Sequence, residues 1–138
     1  MSPDKDAISG WELDAYQRDL ELAEKFTIST VSWDVASNVF VRVRHAGSEG
    51  IGEVSPDDRA GDSPSATLKV LDELDPASLG DPFDLEQILE LLPASPARCA
   101  LDIGLHDLAG QLAGLSVAQL LGVAGRSLPA TSVTVPIA

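Results

Sequence analysis

An α+β fold is predicted for this chain, because its strand-like segments come first and its helical segments follow, rather than alternating as βα units. Two further observations support this. Leu101, Leu105, Leu108 and Leu112 recur at helical spacing, beside Ala97, Ala100, Ala109 and Ala113, and make one wide apolar face over about five turns. Earlier, Asn38–Arg44 is β-branched and aromatic with late alternating charges, and Ile51–Val54 returns beyond a glycine-bearing turn at His45–Gly50.

Taken in order, Met1–Ser9 is polar and reads as loose. Trp11–Lys25 is ambiguous: Glu, Leu, Ala and Gln favour a helix, whereas Leu20 and Leu22 alternating with Asp19 and Glu21 fit a strand. Phe26–Ser29 leads into Thr30–Ser37, read as a loop, before the Asn38–Arg44 strand. The glycine at 52 inside the return strand signals a bulge or a close backbone neighbour. Ser55–Pro64, rich in Asp, Gly and Pro, is a second loop. Ser65–Leu74 is a helix with Ala66, Val70 and Leu74 on one stripe, and Pro76–Pro82 breaks it. Asp84–Leu92 is a further helix, with Asp84 as its cap and Leu85, Ile88, Leu89 and Leu92 inward. Ser95 then caps the long helix, Pro96 suits its first position, and Gly114 ends it. Ser116 caps a short helix, Val117–Leu121, that Gly122 closes.

With 138 residues the chain is long enough for a core of its own. Its formal net charge of −13 argues against nucleic acid or an anionic membrane surface as partner, since both demand basic patches. No apolar run approaches the roughly 20 residues needed to span a bilayer, and no signal segment opens the chain, so a cytoplasmic location is expected. Cys99 is read as a small buried hydrophobe in the helix rather than a nucleophile.

The stretch Ala100-Leu101-Asp102-Ile103-Gly104-Leu105-His106-Asp107-Leu108-Ala109-Gly110, followed by Gly114, Leu120, Leu121 and Gly122, resembles the last long helix of the N-terminal capping domain in the enolase superfamily, in its mandelate-racemase and muconate-lactonising branches. Gly50, Gly52, Glu53 and Pro56 match a second stretch of that domain, while Gln111 and Ser116 depart from its usual Lys and Pro at solvent-facing or terminal positions. The resemblance implies a three-stranded antiparallel meander followed by a helical subdomain, which makes Trp11–Lys25 a strand. It implies a capping domain over residues 1–128, with 129–138 as linker and start of a first barrel strand. A (β/α)8 barrel needs roughly 250 residues, so the barrel is expected on another chain or a missing segment.

In that family a proton is abstracted next to a carboxylate and the enolate is stabilised by a divalent metal. The resemblance places metal ligands and bases on barrel strands, so no catalytic residue, metal ligand or bound cofactor is expected in this chain, and Mg²⁺ belongs to the barrel. The implied function is substrate capping and selection for a racemase, epimerase or cycloisomerase, inactive without its barrel and acting on a small carboxylate-bearing substrate. Two capping loops then carry the candidate substrate-binding residues: Thr30, Ser32 and Trp33 in the first, Asp57 and Asp58 in the second, with Thr134 on the barrel strand. Trp33 suits an apolar contact or a stack, or else packs beneath its loop. Thr131–Val135 is similar to the first barrel strand of dipeptide epimerases. Their first loop often carries an Arg for a carboxylate, and no base stands between Lys25 and Arg42 here, so an apolar or amide-bearing dipeptide fits better than an acidic one. Asp102 and His106, four apart, are read as fixed polar contacts between the helix and its neighbours rather than an acid–base pair, and His45 as a solvated turn residue. The rival reading is a free-standing interaction or homo-oligomerisation module, because a surface left by a barrel would be an exposed apolar patch.

Overall fold

The computed structural model describes residues 10–28, 31–57 and 61–133. Strands β1 (Trp11–Thr27), β2 (Ser32–His45) and β3 (Ser48–Val54) form one antiparallel sheet in the order β1-β2-β3. Helices α1 (Pro64–Asp72), α2 (Ile88–Leu91), α3 (Pro96–Ala113) and α4 (Val117–Leu120) follow, with a 3₁₀ turn at Pro76–Ser78. The expected meander followed by helices is therefore the observed architecture.

Trp11–Lys25 is strand, against its helix propensity, because pairing with β2 runs from Trp11↔His45 to Glu21↔Val35. Such pairing overrides weak intrinsic preferences. The inner face of the sheet carries Leu13, Ala15, Val39, Val41 and Val43 into the core, the valines fully buried. The outer face carries charge. Arg42 meets Asp14 at 2.6 Å, and Arg44 meets Glu49 at 2.6 Å and Glu12 at 3.4 Å. Trp11 is buried at the sheet's end, where its indole Nε1 donates to the Gly80 carbonyl at 3.1 Å.

Three boundaries differ from expectation. Ser32–Ser37 is not loop but the first part of β2, because Trp33 and Val35 alternate with polar residues and pair with Phe26 and Glu21 of β1. The turn expected over His45–Gly50 shrinks to Ala46 and Gly47, with φ of 48° and 80°. Positive φ at both central residues gives a two-residue hairpin whose twist matches its strands, so β3 starts already at Ser48. The helix expected over Asp84–Leu92 is only Ile88–Leu91, and Asp84 does not cap it. Instead the Gln87 side chain accepts from the Gly80 amide at 2.7 Å and donates to the carbonyls of Asp81 and Asp84 at 2.9 and 2.8 Å. One side-chain amide thus satisfies backbone groups that a longer helix would otherwise have paired. Ile88 and Leu92 point inward as expected, but Leu89 is 59% exposed.

α1 starts one residue earlier than expected, at Pro64, with the Ser63 hydroxyl accepting from the Ala66 amide at 3.1 Å, and it ends at Asp72. In α3, Ser95 accepts from the Arg98 amide at 3.2 Å, and Gly114 closes the helix in the left-handed conformation with φ of 67°. Leu101, Leu105 and Leu108 are buried with Ala97, Ala100 and Ala109, whereas Ala113 is exposed. Cys99 is exposed too, a correction to its reading as buried: it lies off the line of Ala97, Ala100, Leu101 and Gly104 that faces the core.

Close backbone approach, not a bulge, explains the glycines of β3. A Cβ on Gly52 would land on the Ala100 carbonyl oxygen and 2.9 Å from the Gly104 nitrogen. One on Gly50 would overlap the Gly104 carbonyl oxygen and come within 2.8 Å of the Leu108 Cβ. Helix α3 thus lies with its backbone directly on the strand. The Asp107 carboxylate accepts from the Ile51 amide at 2.9 Å, satisfying a donor on the outermost strand. Replacing Gly52 with Ala should cost at least about 3 kcal/mol, because two backbones must separate to admit the methyl. Gly80→Ala, where a Cβ meets only the Gln87 Oε1 at 3.5 Å, should cost under about 1 kcal/mol. Urea unfolding of both variants checks this, and equal midpoints would refute the close-packing account.

Candidate functional site

Beyond β3 the sheet narrows to a two-stranded ribbon. β3 pairs with β2 only over Val39–His45, whereas β1 and β2 continue together to Thr27↔Ser32. The ribbon is irregular: between the pairs Glu21↔Val35 and Phe26↔Trp33, residues 22 to 25 of β1 face residue 34 of β2 alone. An insertion of this kind bends a strand and re-aims its side chains. At the tip, Ile28 and Val31 exchange backbone hydrogen bonds of 2.9 and 3.4 Å, and the hydroxyls of Thr27 and Ser32 lie 2.9 Å apart. Phe26 and Trp33 pack with ring centroids 5.9 Å apart and planes tilted by 37°.

Under the bent ribbon lies a cleft of about 810 Å³. The ribbon supplies Leu22, Glu24, Phe26, Trp33 and Val35, and the segment after β3 supplies Ser55, Pro56, Asp57 and Pro64. Of the six residues that the sequence nominated, Trp33 and Asp57 meet here. Ser32 lies beside them on β2, exposed and bonded to Thr27 rather than lining the cleft. Thr30, Asp58 and Thr134 lie outside the described residues. Trp33 packs on Phe26, stays half-buried and borders the cleft. Leu22 and Glu24 also line the cleft, from the segment that pattern left undecided, and so does Phe26, from the stretch read as leading into a loop. The alternation Val31, Trp33, Val35 was the available signal that this region is strand.

At the ribbon's base the Asp19 carboxylate accepts from the Ser37 hydroxyl at 2.6 Å and the Gln17 side-chain amide at 3.0 Å. These bonds, Ser37's foremost, hold its pKa below the ordinary carboxylate value, with desolvation opposing weakly. Arg44, hydrogen-bonded first to Glu49 and then to Glu12, is held more firmly in its charged form. His45 is not simply solvated: it stacks on Trp11 with centroids 4.4 Å apart, and its Nδ1 lies 3.1 Å from the Gly10 carbonyl.

Asp102 and His106 touch each other rather than neighbouring elements. The His106 Nδ1 lies 2.9 Å from the Asp102 carbonyl and 3.5 Å from its carboxylate, all within α3, and Asp107 makes the contact to the sheet instead. Among the described residues no three His, Cys, Asp or Glu side chains converge as a metal would require. No helix among the described residues is long and apolar enough to cross a membrane.

Residues 13–122 match the family model of the mandelate racemase / muconate lactonizing enzyme N-terminal domain. The chain is 32% identical over 124 residues to an L-Ala-D/L-Glu epimerase from Bacteroides thetaiotaomicron, covering 86% of this chain and 32% of that protein. It is 37% identical over 127 residues to an L-Lys-D/L-Arg epimerase from Methylococcus capsulatus, covering 84% of this chain and 35% of the relative. The crystal structure of a dipeptide epimerase from Methylococcus capsulatus, complexed with Mg and the dipeptide L-Arg-D-Lys, superposes with a TM-score of 0.79 at 33% identity, over 92% of this chain and 38% of the other. The chain therefore spans about a third of the length of the curated relatives that it matches.

Because the folded-state pKa of Asp19 is lowered, its contribution to the ribbon is present above the ordinary aspartate pKa and is lost as pH falls through the lowered value. Ser37→Ala should raise the Asp19 titration midpoint toward the ordinary value, read by carboxyl-carbon NMR. An unchanged midpoint would show that the hydroxyl is not its main stabiliser.

Proposed function

We propose, since this chain belongs to the mandelate racemase / muconate lactonizing enzyme N-terminal domain family, that it caps and selects substrate for a metal-dependent dipeptide epimerase whose (β/α)8 barrel is supplied by another segment or polypeptide. Residues 1–128 form the capping unit in this reading, and 129–138 lead toward the barrel. The observation that carries it is the cleft, in which a bent ribbon and the segment after β3 set Trp33 and Asp57 around one apolar hollow. In the enzyme, Thr30, Ser32, Trp33, Asp57, Asp58 and Thr134 would border the far side of a small carboxylate-bearing substrate. The metal, held by the barrel, would stabilise the enolate formed when a proton leaves the carbon next to the carboxylate.

This chain's own part is physical. A ribbon lowered over the barrel mouth excludes water, which strengthens charges inside, and its apolar side chains orient the substrate toward the barrel's bases. Such contacts act in binding and discrimination and leave proton transfer to the barrel.

A second reading, a free-standing interaction module, is favoured by one observation. Leu115, Val117, Leu121, Val123, Leu128 and Val133 are all exposed along the C-terminal stretch. The capping reading covers that run with the barrel, and the module reading covers it with a partner or a second copy.

The deciding experiment mixes this chain with a relative's isolated barrel and Mg²⁺, and follows α-proton exchange of dipeptides in D₂O. Capping predicts turnover only in the mixture, whereas a chain that self-associates through its C-terminal leucines and never restores turnover favours the module. In the restored enzyme Trp33→Ala should raise KM about ten-fold with a smaller change in kcat, the ~1.4 kcal/mol of one partly buried aromatic contact. An unaltered KM would remove Trp33 from the site.

A further inference from the structure

The outer face of the sheet, turned away from the helices, is not the uniformly polar surface that an antiparallel sheet commonly gives to water. At its middle Tyr16 and Phe40 pair across β1 and β2, their rings stacked with centroids 5.6 Å and planes 13° apart. Neither belongs to the core, and Ile51, one row along on β3, is 48% exposed. Arg42 pairs in register with Ile51, lies 5.2 Å from the centre of the Tyr16 ring and is held by Asp14. Aromatic rings and arginine at the middle of a patch, with charges around them, are the composition of a protein interface. Trp33, Val35 and Ser37, which line the cleft, share the alternation of the inward Val39 and Val41, so this face is distinct from the cleft.

Charge decides what this face can meet. Three of the chain's nine bases, Arg18, Arg42 and Arg44, stand here among the acids Glu12, Asp14, Glu49 and Glu53. The face is thus one charge from neutral in a chain of net charge −13, and two copies repel least where their charges balance. The charges are also laid out for self-pairing. Among the described residues Arg18 is exposed and meets no carboxylate, and Glu12, at the other end of the same strand face, reaches Arg44 only at 3.4 Å. A two-fold axis crossing the strands between the Asp14–Arg42 and Tyr16–Phe40 rows turns a second sheet antiparallel to the first. It sets Glu12 against the second copy's Arg18 and Arg42 against the second copy's Phe40, and symmetry repeats both contacts. We propose that the outer face is a self-association surface, on which a second copy of this chain stacks sheet to sheet. The face is about 30 Å long and about 10 Å wide, small for a permanent interface, so the dimer dissociates at roughly tens of micromolar or above. This contact is separate from the cleft and from the apolar C-terminal stretch, and it does not rest on the capping reading.

Sedimentation velocity of the chain from about 5 to about 500 µM tests this, and a dimer that grows with concentration and weakens with added salt is expected. Arg18→Glu and Glu12→Arg are exposed changes whose folding circular dichroism verifies. Each sets like charges face to face twice per dimer and should raise the dimer Kd at least about ten-fold. The double variant exchanges the two charges and should dimerise within about three-fold of the parent, a restoration that no merely structural effect of either change would give. A monomer at every concentration, single variants that associate as strongly as the parent, or a double variant no better than the singles would overturn the proposal. So would association that survives both single variants and is lost on Leu128→Asp, which would move the contact to the C-terminal stretch.

Discussion

The backbone of α3 rests on the backbone of β3, and most of the remaining structure follows from that contact. Four residues of helix advance about 6 Å, and two residues of strand advance nearly the same distance. Gly52 can therefore face Ala100 and Gly104 while Gly50 faces Gly104 and Leu108, with helix and strand running in opposite directions. Missing side chains on the strand let the helix come close enough for Leu101, Leu105 and Leu108 to join the buried valines of β2. The same approach places Asp107 against the Ile51 amide, so the outermost strand keeps one fewer open donor. A larger residue at either glycine would lift the helix from the core and from the edge together.

Where that contact ends, so does the three-stranded part of the sheet. β3 has 7 residues against 17 in β1 and 14 in β2, so the far half of the hairpin has no third strand beside it. Two-stranded ribbons are marginal in water and depend on side-chain pairs. Among the described residues these include the Asp19–Ser37 bond, the Thr27–Ser32 hydroxyl pair, the Lys25–Asp34 pair and the Phe26–Trp33 contact. The ion pair is well exposed and contributes little. A two-stranded ribbon beyond a packed base is the part of the sheet that opens at the lower cost.

How much of this was legible in the sequence differed by element. The caps and stops of α3 were readable because they are local: Ser95, Pro96 and Gly114 each act within one turn. The close approach at Gly52 was foreshadowed by a glycine inside a strand, though what it approached depended on contacts 48 residues away, at Ala100. β1 was undecidable from propensity, because its conformation is fixed by the partner strand and not by its own residues. The short α2 was overestimated because Gln87 binds its backbone in a way that no periodicity encodes. At the site, Trp33 stood out as a large aromatic in its segment and Asp57 was nominated only through the family resemblance, whereas Glu24 became visible only once the irregular ribbon had turned it to the cleft wall.

The chain has two tryptophans, and the fold separates them. Trp11 is buried to 1% exposure beneath the sheet's end, against His45, whereas Trp33 is half-buried in the ribbon against Phe26. The molecule thus carries two native optical gauges, one on its foundation and one in its two-stranded ribbon. Loosening of the ribbon alone changes the second and leaves the first at rest, so opening and unfolding give different spectra without any label being added.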